Sequence, residues 1–135
     1  MKLNQIDHIA IAVKNLDQSI KLYEEIFGLK CYLVEEVEDQ KVRTAFFKLG
    51  EIKLELLETN DSQSSIAKFV EKRGEGMHHI AYLVDDVKAS LEELEKKGVQ
   101  LIDKYPRTGA ENLNIAFLHP KSTSGVLTEL VGKKK

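Results

Sequence analysis

The chain has 135 residues, enough for one compact domain with a core of its own, and its formal net charge is only -2. Its 20 basic and 22 acidic residues are interspersed, which argues against a nucleic-acid-binding face, and no segment is apolar for long enough to predict a membrane span. A single cysteine, Cys31, excludes an intramolecular disulfide and a thiolate metal site. The N-terminus lacks the apolar segment of a secretory signal, so the sequence predicts a soluble, cytoplasmic protein.

The first half of the chain, about residues 5–58, predicts the element order β-α-β-β-β. Alternating apolar residues place His8 on the strand face that otherwise carries small alanines. A helix with apolar residues at helical spacing follows, from a cap at Asn15 to a stop at Gly28. Glu55 lies in the last strand of this half. Strands are expected at 6–13, 29–37, 41–49 and 52–58.

The second half, about residues 77–131, repeats this order. A short helical linker at about 62–74 joins the two halves within a single domain. A helix is expected at about 86–97, where Gly98 ends it. Strands are expected at 78–84, 99–105, 113–119 and 125–131.

Two segments of the chain recur with their polar residues in register. The segment D-H-I-A-I-A-V, which contains His8, is answered 71 residues later by M-H-H-I-A-Y-L-V, which contains His79. The segment I-K-L-E-L-L, which contains Glu55, is answered 74 residues later by V-L-T-E-L-V, which contains Glu129. Each half is too small to bury its sheet alone, so we expect an α+β fold in which two β-α-β-β-β modules form one cupped, barrel-like mixed sheet around a pseudo-two-fold axis.

The four recurring polar residues predict a metal site. A pseudo-two-fold axis would bring together His8, Glu55, His79 and Glu129. Two imidazoles and two carboxylates suit a divalent ion in five- or six-coordinate geometry, with positions left for water or substrate. Taken singly, a histidine on a strand is more often hydrogen-bonded structure, and a glutamate such as Glu55 can face solvent. The matched registers favour ligation over these ordinary roles.

Other polar residues are expected to have ordinary roles. His78 points away from its neighbour on the strand, which favours a structural hydrogen bond. His119 precedes Pro120 at a strand end, where a capping or surface role is typical. Cys31 is interpreted as a small apolar filler. The loops are expected to carry three solvated cations, any of which could reach a phosphorylated substrate arm, namely Lys104, Arg107 and Lys121.

Four motifs carry a resemblance over residues 6–131. In chain order, D-H-I-A-I-A-V, K-L-E-L-L, G-E-G-M-H-H-I-A-Y-L-V-D-D and I-A-F-L-H-P-K-S-T-S-G-V-L-T-E-L resemble the methylmalonyl-CoA epimerase family of the vicinal-oxygen-chelate superfamily. The resemblance implies His8, His79 and Glu129 as metal ligands, with Glu55 at the position of a fourth. It implies interconversion of (2R)- and (2S)-methylmalonyl-CoA by removal and return of the C2 proton, in a homodimer that binds an acyl-CoA substrate. The implied metal is Co²⁺, with Zn²⁺, Mn²⁺, Ni²⁺ or Mg²⁺ as alternatives.

The resemblance also bears on the catalytic residues. Glu129 is the first choice for the base and Glu55 the second, since a carboxylate that loosens from the ion can reach the reacting carbon. Some bacterial epimerases carry a glutamate where this chain has Thr44, and a threonine cannot serve as an ordinary base. Either Glu55 or a water then supplies the proton on the other face of C2, or the two-base picture does not transfer. Residues 109–112 replace a family segment of the form G-A-H-G, so the contacts to the thioester are left open.

Three other functions fit parts of the pattern. A glyoxalase I-type lyase acting on a glutathione hemithioacetal uses the same four ligand types. Iron-dependent ring cleavage is less expected, because it uses two histidines and one carboxylate, while this chain also offers Glu55. A non-catalytic module that binds a small ligand would not need a metal, and keeping Glu129 buried would then be costly.

Overall fold

The computed structural model describes residues 1–135, apart from the side chain of Asp39. The described residues form three α-helices: α1 (Leu16–Phe27), α2 (Ser65–Arg73) and α3 (Val87–Lys96). They also form eight strands: β1 (Gln5–Ala12), β2 (Cys31–Val37), β3 (Val42–Leu49), β4 (Ile52–Glu58), β5 (Gly76–Leu83), β6 (Arg107–Thr108), β7 (Asn114–Leu118) and β8 (Thr128–Gly132). In the part of the chain that the structure describes, no helix has the length and apolar character needed to cross a bilayer.

The chain divides into two compact units. The first unit comprises residues 8–78, and the second unit comprises residues 1–7 together with 79–135. The first seven residues therefore belong with the C-terminal half. In the second unit the backbone N–H of Asn4 donates to the carbonyl of Leu83, which ties this segment to β5.

The first unit contains a four-stranded sheet with β4 between β3 and β1. β1 runs parallel to β4. β2 pairs with β3, and β3 pairs with β4, both in antiparallel fashion. Helix α1 begins where the Asn15 side chain accepts the backbone N–H of Gln18, and it ends at Gly28, whose φ of 65° is left-handed. Packed together on the α1 side of the sheet are Val13, Leu16, Ala45, Phe47 and Leu56. Strand alternation therefore assigns their neighbours Phe46 and Glu55 to the opposite face.

The second unit has the same design. β5 runs parallel to β8, β8 pairs with β7 and β7 pairs with β6 in antiparallel fashion. Helix α3 begins where the Asp86 side chain accepts the backbone N–H of Ala89. Its core under α3 consists of Val84, Val87, Leu91, Ala116, Leu118 and Leu130. A separate cluster comprises Ala81, Ile115, Phe117 and Val131.

Helix α2 occupies the predicted linker. The Ser64 side chain caps it by accepting the backbone N–H of Ala67, and the helix ends at Gly74. The helix predicted after Ser65 is therefore confirmed.

The strand predicted at 99–105 is wrong. This segment makes a single bridge, from Leu101 to Leu118, and the short strand β6 lies further along the chain. The carboxylate of Asp103 accepts the backbone N–H of Phe117 at 2.9 Å, so a side chain takes the place of a strand carbonyl. The same carboxylate lies 3.0 Å from Nε of Arg107. A polar side chain that bonds the backbone in this way interrupts the ladder.

The last strand is shorter than predicted. It begins at Thr128 rather than at residue 125. Ser124 and Gly125 both have left-handed backbones, with φ of 59° and 87°, which a regular strand cannot contain.

Candidate functional site

The register of β1 against β4 brings His8 to Glu55. Ala10 lies directly opposite Glu55 in this parallel pair, and His8 precedes Ala10 by two residues on the same strand face. His8 Nε2 is 3.2 Å from Glu55 Oε1. Both residues are 6% exposed. This pair is described below as the first His–Glu pair.

The second unit contains an equivalent pair. Ala81 lies opposite Glu129 in the parallel pair of β5 and β8, and His79 precedes Ala81 by two residues. His79 Nε2 is 3.4 Å from Glu129 Oε1. The exposed fractions are 3% for His79 and 4% for Glu129, so this second His–Glu pair is also buried.

The two pairs therefore occupy identical registers in their own units. Across each parallel strand pair, the glutamate lies opposite an alanine, and this alanine follows the histidine of its own strand by two residues. The sequence repeats differ by three residues in their spacing, 71 for the histidines and 74 for the glutamates. The extra residues fall between β7 and β8, where a 3₁₀ turn at Pro120–Ser122 replaces the short turn at Gly50–Glu51.

A phenylalanine supports each histidine, and the sequence analysis did not identify either one. Phe46 pairs with Glu55 in the β3–β4 ladder, and its ring meets His8 edge-on at 6.1 Å between centroids. Phe117 pairs with Glu129 in the β7–β8 ladder and meets His79 edge-on at 5.2 Å. Such contacts restrict the orientation of an imidazole. The signal was available, because Phe117 follows Phe46 by the same 71 residues that separate the histidines.

One difference between the surroundings of the two carboxylates lies at Thr44. Thr44 is fully buried, and its hydroxyl donates to Glu55 Oε2 at 2.5 Å. Thr44 pairs with Leu57 in the β3–β4 ladder. The equivalent residue of the second unit is Ile115, which pairs with Val131 and has no hydroxyl. From the sequence, Thr44 stands only where an acid is expected, and this hydrogen bond is not predictable from it.

The spacing within each His–Glu pair fits two ligands of one metal ion. Bonds from imidazole nitrogen or carboxylate oxygen to a divalent ion are about 2.0–2.2 Å long, so two such atoms at a right angle lie roughly 3 Å apart. The measured separations of 3.2 and 3.4 Å are close to that value. Imidazole and carboxylate together suit borderline and hard divalent ions. Each pair can therefore supply two adjacent ligands.

The remaining histidines have structural roles. The ring of His78 meets Phe69 of α2 edge-on, with 5.0 Å between centroids. His119 Nδ1 accepts the backbone N–H of Lys121 at 3.0 Å and so caps the following 3₁₀ turn, which confirms the predicted capping role. Cys31 is half-buried and packs against the core of the first unit, as predicted for a small apolar filler.

The predicted loop cations are not equivalent. Arg107 is paired with Asp103 through Nε at 3.0 Å, on the segment that replaces the predicted strand. Lys104 and Lys121 are exposed. Arg107 therefore has a structural partner, whereas the two lysines remain candidates for contact with a phosphorylated substrate.

Comparisons with known proteins cover nearly the whole chain. Residues 7–117 match the family described as the glyoxalase/bleomycin resistance protein/dioxygenase superfamily. A protein of Bacillus subtilis, YqjC, is 45% identical and aligns over 98% of this chain and 94% of its own length. The ethylmalonyl-CoA/methylmalonyl-CoA epimerase of Cereibacter sphaeroides is 34% identical, over 95% of this chain and 97% of its own length.

A solved structure extends the comparison to the fold. A methylmalonyl-CoA epimerase in complex with methylmalonyl-CoA and ammonium is 40% identical and superimposes with a TM-score of 0.94, covering 98% of this chain and 96% of its own. The predicted vicinal-oxygen-chelate fold is therefore confirmed.

Proposed function

The chain belongs to the glyoxalase/bleomycin resistance protein/dioxygenase superfamily, and we propose that it is a metal-dependent epimerase that interconverts (2R)- and (2S)-methylmalonyl-CoA. The observation that carries this proposal is the pair of buried histidines and glutamates that recurs in the same register in both units. Support for the substrate comes from full-length similarity to epimerases, one of which was solved with methylmalonyl-CoA bound.

We propose that His8, Glu55, His79 and Glu129 together hold one divalent ion, with Co²⁺ as the first choice. Three of these four, His8, His79 and Glu129, are buried residues with ligand atoms suited to a metal ion. The duplicated register supports adding Glu55, since its relation to His8 repeats that of Glu129 to His79. Four protein ligands leave room for the substrate in a five- or six-coordinate site.

The reaction moves one proton. The C2 hydrogen of methylmalonyl-CoA lies between a thioester and a carboxylate, so its removal places negative charge on the thioester oxygen. A bound divalent ion supplies positive charge that stabilises this oxygen. Glu129 is the proposed base that takes the C2 proton. Because its carboxylate is 4% exposed, the transfer takes place largely out of contact with bulk water.

Inversion at C2 also requires a proton to arrive on the opposite face. Three alternatives follow from the sequence: Glu55 supplies this proton, a water supplies it, or the two-base picture does not apply to this chain. The histidines hold the ion and are restrained by Phe46 and Phe117, so they do not need to exchange protons with the substrate.

Deuterium exchange tests the proposed function. The metal-loaded protein is incubated with methylmalonyl-CoA in deuterated water, and deuterium entering C2 is followed by NMR. We expect exchange well above the uncatalysed rate, abolition by a chelator, and a loss of about 10²–10⁴-fold in Glu129→Gln, the usual contribution of a general base. The matched control is Glu92→Gln, a change at an exposed position of α3, which should leave exchange unaltered.

The same experiment identifies a wrong assignment. Exchange no faster than the blank would refute the epimerase, and turnover of a glutathione hemithioacetal by that sample would identify a glyoxalase I-type lyase instead. The homodimer also stays a prediction, and sedimentation of the metal-loaded protein at the mass of two chains would support it.

A further inference from the structure

The hydroxyl of Thr44 is committed to Glu55. A threonine hydroxyl has one proton, and two oxygens lie within reach: Glu55 Oε2 at 2.5 Å and the carbonyl of Leu56 at 3.2 Å. Hydrogen bonds from a hydroxyl to a carboxylate are typically 2.5–2.7 Å long and about twice as strong as neutral ones. The proton therefore goes to Glu55.

This hydrogen bond leaves the Glu55 carboxylate little freedom to turn. Oε2 accepts from Thr44, while Oε1 faces His8 Nε2 at 3.2 Å. Thr44 itself is 0% exposed in the interior of β3, so the donor cannot move aside into solvent. A carboxylate with Oε2 held by a buried donor and Oε1 beside the other proposed ligand is suited to a fixed ligand position. It is poorly suited to swinging onto a reacting carbon.

In the second unit, the position equivalent to Thr44 is Ile115, which has no hydroxyl. Ile115 is 3% exposed and packs with Ala81, Phe117 and Val131. It also supports the chain at Gly109, where an added Cβ would lie 2.7 Å from Ile115 Cγ2. The position equivalent to Thr44 thus carries an apolar side chain in the second unit. The two units, alike in their His–Glu pairs, differ at the residue that could restrain the carboxylate.

We propose that Thr44 is a positioning residue that holds Glu55 as a fixed ligand of the metal ion, leaving proton transfer to Glu129. This inference rests on the proposed metal site and deepens it. It removes Glu55 from the candidates for the second proton donor, so either water delivers the proton to the opposite face of C2 or no second base is used. Thr44 acts through Glu55 and does not touch the substrate.

Two substitutions separate the hydroxyl from the shape of the side chain. Thr44→Val keeps the branched shape and removes the donor, whereas Thr44→Ser keeps the donor. The dissociation constant for Co²⁺ is measured by competition with a chromophoric chelator, without substrate, and the visible absorption spectrum of bound Co²⁺ reports the ligand geometry. We expect Thr44→Val to weaken binding about 10–100-fold, as loss of a ligand's hydrogen-bond partner typically does, and to change the spectrum. Thr44→Ser should stay close to the wild type.

A matched substitution controls for packing. Ile115→Val changes the equivalent position of the second unit without touching a hydroxyl, and it should bind Co²⁺ as the wild type does. At saturating Co²⁺, deuterium exchange by Thr44→Val should return towards the wild-type rate, because Glu129 is intact. Exchange that stays low when the metal site is full would make Glu55 a proton carrier and overturn the assignment.

The outcomes distinguish this inference from the proposed function. If Thr44→Val binds Co²⁺ as tightly as the wild type, or if Thr44→Ser loses as much affinity as Thr44→Val, the role of Thr44 is refuted while the epimerase stands. If the expected affinities are found but methylmalonyl-CoA does not exchange, Thr44 keeps its positioning role and the substrate assignment fails. A wild-type protein that binds no divalent ion refutes both.

Discussion

Removal of the metal ion should lower the melting temperature of the protein by about 10 °C. The proposed ligands become neighbours only when the register between β1 and β4, and that between β5 and β8, has formed. An unfolded chain lacks both registers, so the ion binds the native state alone. Binding to the native state alone raises the free energy of unfolding by an amount set by the ratio of the free ion concentration to its dissociation constant.

The magnitude follows from the length of the chain. Free metal at 100 times its dissociation constant stabilises the native state by about 2.7 kcal/mol. The entropy of unfolding is roughly 2.1 cal/mol/K per residue near the transition, which for 135 residues gives about 0.28 kcal/mol per degree. Dividing the free energy by this slope gives a shift of roughly 10 °C.

Calorimetry with and without a chelator measures this shift. His79→Ala, which removes one ligand of the second His–Glu pair, should lose most of the difference between the two conditions. His119→Ala should keep it, because that imidazole only caps a 3₁₀ turn. A melting temperature that a chelator does not change in the wild type would mean that the His–Glu pairs are buried ion pairs and hold no metal.

Substitutions at three further positions test the supports of the second unit. Asp103→Ala should lower the free energy of unfolding, measured by chemical denaturation, by about 1–3 kcal/mol, because the buried N–H of Phe117 loses its acceptor. Asp103→Asn keeps an oxygen at this position and should lower it less. Equal losses for the two variants would contradict the role of Asp103 as acceptor. Gly132→Ala would bring a Cβ within 2.9 Å of the Val84 carbonyl and should cost about 1–3 kcal/mol, so a variant as stable as the wild type would show that this contact relaxes freely. Phe117→Leu removes the ring edge from His79 and should weaken Co²⁺ binding by about 1 kcal/mol in a titration, whereas unchanged affinity would show that the ring does not restrain the imidazole.

The strand faces and the repeat were predictable because local side-chain alternation encodes them. His8 and Glu55 lie in strands whose flanking apolar residues occupy the helix-facing side, so their placement on the other face follows from period-two spacing. The recurrence of both residue types in the second half then indicated which polar positions were not simply exposed. The selection of His8, Glu55, His79 and Glu129 as candidates was possible for this reason, although their arrangement as one His–Glu pair in each unit was not predicted.

What the sequence analysis missed depends on contacts between segments far apart in the chain. The segment at 99–105 has the composition of a strand, yet Asp103 bonds to the backbone of Phe117, 14 residues away. No local pattern reports such a bond. Thr44 was interpreted only as the replacement of an expected glutamate. Its hydroxyl in fact donates to the carboxylate of Glu55, 11 residues along the chain. The histidine-supporting phenylalanines have the ordinary appearance of core residues, and only their shared register with the glutamates distinguishes them.

The position of the glutamate-bearing strands has a consequence for how long the ligands stay in place. Within the first unit β4 lies between β3 and β1, and within the second unit β8 lies between β7 and β5. Freeing either strand breaks hydrogen bonds on both of its sides, so the backbone amides near Glu55 and Glu129 should be among the last to exchange with solvent deuterium. Fraying at the outer strands β2 and β6 leaves both carboxylates where they are. We therefore expect substitutions at Val34 and Thr108, exposed positions of those outer strands, to alter the surface of the protein without disturbing the ligands.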